Sequence, residues 1–345
     1  MRAKKSGLLG WARRRARALP PIAWRDQKIA ELSRGQRDRV REIKAAEERA
    51  ATVPSFRRYV YAERRLAARM LEIDRSDRGT AVTKKLRSYS FARSWGVDVP
   101  EIFGIWDRVE DIAWDELPDT VVIKSEGGAY ARGVLPLRRV AGGWSIITDG
   151  SVLTPADIVE RFRQKQNDGT VKGPFIAERF LGDADRELMP HDVKFYSFYG
   201  KVALTTVRSV AGHLGSEDWT YRILDREGVD LGPVYRPELN DPSIPIPDNY
   251  AGLVDVAERL SSAVRRAFIR VDLYDIGGRV VFGELTPRPG GPLIFGGDID
   301  ERMGLLWEDA HVRLLNDVIN GADYTLQFGP EPRELLVGGS PYLPD

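Results

Sequence analysis

The chain has 345 residues, 42% of them hydrophobic, with no cysteine and a formal charge of +1, too long for one ordinary core and therefore expected to form two or three domains. The missing thiols exclude disulfides, thiolate zinc sites and a cysteine nucleophile. No apolar run reaches the length of a membrane span or a signal-peptide core, so the reading is a soluble protein of the cytoplasm.

The near-neutral total hides an asymmetry: residues 1–50 carry 15 Lys or Arg against six acids, a net +9, which leaves −8 for the rest. Residues 1–24 contain no acid and set Leu8, Leu9, Trp11 and Trp24 among arginines. That composition suits a peripheral contact with an anionic membrane surface or another polyanion, and a solvated tail explains it equally well. No specific nucleic-acid motif is present. From Trp24 to Ile73 the sequence predicts helix, interrupted at Pro54.

Next, a helix is predicted over Thr83–Trp95, stopped by Gly96, with Lys84 and Lys85 in its first turn. Cations there oppose the helix dipole unless an anion joins them. Thr120–Lys124 reads as a short strand ending in a cation, followed by the glycine-rich stretch Ser125–Gly133 and a second strand, Val134–Leu137. Such a strand-loop-strand flap can fold its N–H groups over phosphates, with Lys124 aimed at the same anion. It is not a Walker A loop, because the spacing is wrong and no helix follows. A strand over Trp144–Ile147 precedes Thr154-Pro155, read as the N-cap and first residue of a helix to about Gln166.

Phe175–Leu181 is an apolar strand carrying one carboxylate, Glu178, and Asp183, Asp185 and Glu187 follow it. Asp192 and Lys194 share one face of a strand that turns at Tyr199-Gly200-Lys201 into Val202–Val207. Arg208, Arg222 and Arg236 offer guanidinium forks for a carboxylate or phosphate. The three histidines show no metal-ligand spacing and read as structural. An amphipathic helix over Pro247–Val264 leads into Phe268–Gly291, and a last helix runs from about Glu301 to Ile319.

Phe268–Gly291 reads as a β-hairpin around Gly277-Gly278. A two-residue loop would pair Asp272 with Gly283 and put Glu284 on the opposite face. A three-residue loop with Gly278 left-handed, a type I turn plus G1 bulge, pairs Asp275 with Arg279 and Arg270 with Glu284. Arg270, Asp272, Glu284 and Thr286 then share one face, and the second register is the one expected. Paired carboxylates on a rigid sheet suit magnesium that bridges phosphates.

Taken in order, Lys85…Gly96, VVIK with its glycine loop, AERFL, DVKF and RVDLY…FGELT resemble the ATP-grasp superfamily, and most closely its TupA-like branch, over about residues 80–315. The resemblance implies an α+β fold whose two lobes clamp ATP, preceded here by a basic, mainly helical region. The expected divisions are residues 1–78 for that region, 79–117 for a helix and linker, 118–182 for a lid, 183–330 for a catalytic core and 331–345 for a tail. It implies that Lys85 and Lys124 hold the α and β phosphates, with Gly127 and Gly128 in the lid over the γ phosphate. Glu178, Arg179 and Leu181 correspond to the adenine hinge, the latter two through backbone. Asp185 takes the place of the ribose-binding acid, with Asp192 its rival, and Lys194 that of a further phosphate lysine. Asp272 and Glu284 correspond to magnesium ligands and Arg270 to the arginine at the reacting acylphosphate. Thr286 stands where many members carry an asparagine ligand, which predicts a weaker second metal contact.

The activity so implied is an ATP- and magnesium-dependent carboxylate-amine ligase acting on a small acid or on a glycan or peptide of the cell envelope that bears a carboxylate. A sugar or glycan kinase on the same fold is the alternative enzyme. A membrane- or polyanion-binding protein with a vestigial ATP site is the alternative outside catalysis.

Overall fold

The computed structural model describes residues 22–73, 83–128, 133–183, 189–210, 219–291, 293–296 and 298–344. The chain divides into two compact units, Met1–Pro54 and Ser55–Asp345. In the first, helix α1 (Ile22–Thr52) is rich in Arg, Glu and Ala. Its described side chains are all exposed except Ser33, which is half-buried.

In the second unit, helix α2 (Phe56–Ile73) sinks Phe56 and Val60 completely into an aromatic cluster. That burial ties α2 to the second unit. Helix α3 (Lys85–Ser94) starts after Lys84 and is closed by Gly96 at φ 70°, a conformation that favours glycine.

An eight-stranded sheet comprises β1 (Ile102–Trp106), β2 (Thr120–Gly128), β3 (Val134–Val140), β4 (Gly143–Ile146), β5 (Val152–Leu153), β6 (Val171–Glu178), β12 (Leu335–Val337) and β13 (Ser340–Tyr342). Its order is β13-β12-β1-β6-β2-β3-β4-β5. A stretch far off in sequence thus joins it: β1 pairs antiparallel with β6 and parallel with β12. Helix α4 (Pro155–Asn167) covers this sheet with Ile158 and Phe162. Thr154 and Asp157 cap it reciprocally, side chain to backbone N–H in each direction, as the Thr154-Pro155 signal predicts.

The second sheet is a five-stranded antiparallel array in the order β11-β10-β7-β8-β9. Its strands are β7 (Asp192–Ser197), β8 (Val202–Val210), β9 (Trp219–Leu224), β10 (Ile269–Ile276) and β11 (Arg279–Thr286). Side chains alternate along them. Val193, Phe195, Val271, Leu273, Phe282 and Leu285 form one face and pack on helix α5 (Tyr250–Ala263) through Leu253, Ala257 and Leu260. Part of the other face, with Tyr196 and Leu204, meets the aromatic cluster of Phe56, Phe198, Phe268 and Trp307 under helix α6 (Ile299–Ile319). The Phe268 and Trp307 rings stack with centroids 5.2 Å apart. The rest of that face is charged.

Candidate active site

The β10–β11 ribbon carries its extra residue in the strand, not in the turn. Ile276 pairs with Arg279 across a two-residue loop, with Gly277 at φ 60° and Gly278 at φ 81°. Both values require left-handed backbone, and the Gly278 N–H donates to Asp275 Oδ1 at 2.8 Å. The register then shifts: Leu273 pairs with Phe282 and Asp272 with Glu284, so Gly283 is the bulged residue. A Cβ there would stand 3.0 Å from the Asp272 carbonyl oxygen and 3.0 Å from the Tyr274 ring, so any larger residue would have to push these neighbours aside. The expected pairing of Arg270 with Glu284 is therefore corrected to Arg270 with Thr286 and Asp272 with Glu284. One added residue restores the alternation wherever it enters, so all four side chains still share a face.

Across the sheet, Glu284, Asp272, Lys194 and Thr206 are successive neighbours, beside Thr286, Arg270 and Tyr196. Arg270 donates from Nε and Nη2 to the two oxygens of Asp272 at 2.6 and 2.7 Å. Its Nη2 also reaches Glu284 Oε1 and Thr286 Oγ1, each at 3.0 Å. Lys194 Nζ lies 2.5 Å from Asp272 Oδ2 and 2.6 Å from Asp192 Oδ2, and Arg208 Nη2 lies 2.5 Å from that same Asp192 oxygen. The result is a continuous chain of alternating charge over four strands. Glu284 stands at its open end, its side chain 50% exposed against 2% for Asp272.

The electrostatics follow from that arrangement. Burial opposes ionisation of Asp192, but Lys194 and Arg208 outweigh it and hold the carboxyl well below its usual range. Burial pushes Asp272 up while Arg270 and Lys194 pull against it. Glu284, though half exposed, loses part of its hydration, which would raise it, but Arg270 and Lys194 outweigh this and hold it low. Tyr274, half-buried beside Asp192, is held protonated by desolvation and by that negative charge.

The eight-stranded sheet supplies the facing groups. Lys124, on β2, forms an ion pair with the buried Glu178 of β6, and Tyr89 donates to Glu178 Oε2 at 2.8 Å. Lys85, at the start of α3, donates from its side chain to the Glu126 carbonyl at 3.1 Å. The Glu126 carboxylate accepts the N–H groups of Lys85 and Leu86 at 2.9 and 3.3 Å and so caps the helix. Burial lowers the Lys85 ammonium pKa, Glu284 opposes that, and Lys124 reinforces it, so charges from both sheets act on this one nitrogen.

The remaining expectations divide. Gly127 and Gly128 end β2, where a Cβ on Gly127 would come within 3.1 Å of Lys172; residues 129–132 lie outside the described residues. Arg179 is exposed, bonded through Nε to Glu101 Oε2 at 2.9 Å, and its backbone N–H donates to the Glu101 carbonyl at 2.9 Å. Leu181 is half-buried just beyond β6. Asp185 and residues 1–21 lie outside the described residues. Of the three arginines, Arg208 joins the charged row and stacks over Trp219 at 4.2 Å. Arg222 instead braces Asp230 and the Ile244 carbonyl, and Arg236 pairs with exposed Glu238. The sequence reading missed Tyr89, Glu126 and Tyr274. Tyr89 alone left a signal, four residues after Lys85 and hence on the same side of the helix.

Residues 64–307 match the TupA-like ATP-grasp family. The chain belongs to that family. Its α+β architecture, with two sheets, is accordingly an ATP-grasp fold. Among solved structures, the chain is similar to the ATP-grasp ligase PsnB in complex with a minimal precursor, at 15% identity over 68% of this chain and 62% of PsnB, TM-score 0.38. It is also similar to D-alanine–D-alanine ligase from Bacillus anthracis, at 14% identity over 70% of each chain, TM-score 0.42. A RimK-domain ATP-grasp protein from Sphaerobacter thermophilus is 12% identical over 67% of this chain and 68% of its own, TM-score 0.40. No curated protein sequence matches the chain.

Proposed function

We propose that the protein is an ATP- and magnesium-dependent carboxylate-amine ligase working through an acylphosphate. The observation that carries this reading is the row Glu284–Asp272–Lys194–Asp192, threaded by Arg270 and facing Lys85 and Lys124. Phosphorylating a carboxylate brings two anions together, so a site for it needs fixed cations and a place for metal-bound phosphates.

The donor set fits magnesium. Two carboxylates and a hydroxyl are hard oxygen donors, and magnesium typically completes its shell with phosphates and water rather than with protein alone. Among the described residues no group of three or more His, Cys, Asp or Glu could hold a metal ion. Glu284 is the more available ligand, since both Asp272 oxygens already accept charged donors, and Thr286 is the weaker third. When bound there, magnesium supplies neutralisation of the nucleotide phosphates.

The side chains supply the rest. Lys85 and Lys124 hold the phosphates under Gly127 and Gly128; Glu178, Arg179 and Leu181 border the adenine; Asp192 or Asp185 meets the ribose. Lys194 fixes Asp272 and Asp192 and lends its charge to the phosphates. In the first step a substrate carboxylate oxygen attacks the γ phosphorus and ADP leaves. Arg270 then holds charge at the carbonyl while an amine attacks its carbon, loses a proton and expels phosphate. The acid is a small molecule, or a glycan or peptide of the cell envelope.

Incubation with magnesium-ATP and a panel of acids, amines and sugars tests this. The expected outcome is ADP and phosphate released together with a new amide mass, only when acid and amine are both present. A stable phosphate ester on a sugar identifies a kinase and overturns the ligase reading. Absence of magnesium-ATP binding makes the site vestigial.

A further inference from the structure

Helix α1 contains an internal repeat of eleven residues. Lys28-Ile29-Ala30-Glu31-Leu32 and Arg39-Val40-Arg41-Glu42-Ile43 share one pattern, basic–apolar–x–Glu–apolar, eleven positions apart. Eleven residues make three helical turns almost without residue, so both copies present the same face along a straight helix. Ile29, Leu32, Val40 and Ile43 form one stripe, with Gln36 between them, and each of the four apolar side chains is more than half exposed. At 3.6 residues per turn, Lys28 and Arg39 border one edge of the stripe and Arg37 and Lys44 the other. Glu31, Asp38 and Glu42 lie on the far side, Glu31 paired with Lys28 at 3.3 Å. Glu47 ends the stripe. The pattern recurs at Arg69-Met70-Leu71-Glu72-Ile73, the end of α2, with Met70 and Ile73 exposed and Arg69 paired with Glu72.

From this geometry we propose that α1 lies flat on an anionic lipid surface. Three features select that occupant. The stripe is narrow, so contact with a surface would rest on the flanking cations as much as on the apolar side chains. Its basic edges can reach lipid phosphates while their stems cover apolar surface, and Glu31, Asp38 and Glu42 point away from the bilayer, although Asp26 stands on the Lys44 edge and Glu47 on the stripe itself. The preceding residues 1–21 add seven Lys or Arg and no acid. A coiled coil with a second copy fits less well: on the eleven-residue period its seam would hold Gln36 and Glu47 among Ile29, Leu32, Val40 and Ile43, with polar side chains facing each other at both. This inference does not depend on the proposed ligase activity.

The test uses full-length protein and vesicles of phosphatidylcholine with or without about one-third phosphatidylglycerol. Co-sedimentation is expected with the anionic vesicles only, weakening as salt rises from about 0.1 M to about 1 M. The exposed double variant Leu32→Ser with Ile43→Ser should bind about tenfold more weakly or worse, with unchanged thermal unfolding. Lys28→Gln with Arg39→Gln should weaken binding and flatten its salt dependence. Full-strength binding by both variants would overturn the proposal, placing any affinity in residues 1–21. Failure to bind anionic vesicles, together with tight binding to RNA or a dimer that Leu32→Ser with Ile43→Ser dissociates, would overturn it in favour of another partner.

Discussion

The two faces of the five-stranded sheet are made by the same strands, alternating except where the register shifts, yet they are held together by opposite means. Toward α5, Val193, Phe195, Val271, Leu273 and Leu285 bury apolar area, and each contributes by its own volume. Facing the other way, Asp192, Lys194, Arg270 and Asp272 bury charge, and none is tolerable without its neighbours. A change on the apolar face leaves a cavity, whereas a change in the charged row leaves an ion without its counter-ion. The groups proposed to act in catalysis are therefore also structural, apart from those at the open end of the row.

That contrast is open to direct attack. The largest effect is expected from Arg270→Ala, which leaves Asp272 with Lys194 as its remaining cation and should cost about 3–5 kcal/mol of stability in urea denaturation, besides abolishing turnover. A loss below about 1 kcal/mol would mean the row is solvated and the contrast false. Glu284→Gln, at the exposed end, should separate the two roles: magnesium-dependent turnover falls about 10²–10³-fold while the melting temperature stays near that of the parent. Unchanged turnover would remove Glu284 from the metal site.

Gly283→Ala tests the bulge that sets the two acids opposite each other. Crowding against the Asp272 carbonyl and the Tyr274 ring should destabilise by about 1–3 kcal/mol, and turnover should drop with it. The smallest effect is a pH slope. Burial holds Lys85 below its ordinary 10.5, and a bound phosphate would raise it again, so nucleotide binding takes up a proton between those two values. Affinity should fall as pH rises through the lowered value, by at most about tenfold per unit, and Lys85→Arg, which does not titrate there, should flatten the slope. A flat profile in the parent chain would separate Lys85 from the phosphates.

Much of the charged face was legible because a period of two puts Arg270, Asp272, Glu284 and Thr286 on one side once a single extra residue is allowed. Where that residue enters was not legible. Gly277, Gly278 and Gly283 are equally free of a Cβ, and only the close approach of the Asp272 carbonyl and the Tyr274 ring singles out Gly283. Lys124 and Glu178 were legible as isolated strand residues, but their pairing depends on β2 lying beside β6, a long-range register that no local pattern encodes. The cap that Glu126 places on α3 was hidden for the same reason, being 40 residues away. Arg208 and Arg222 look alike in sequence; they differ only in which side of their strand they occupy.

The place of β12 beside β1 has a consequence for how the protein can be shortened. Residues 335–342 look dispensable in sequence, yet Leu335 is almost fully buried and the Gly338 N–H donates to the Ile102 carbonyl at 2.9 Å. Trimming them would turn β1 into a bare sheet margin, with free carbonyls and amides ready to recruit strands from other molecules. An expression strategy that removes this segment would thus move the sheet's edge from the short β13 to β1.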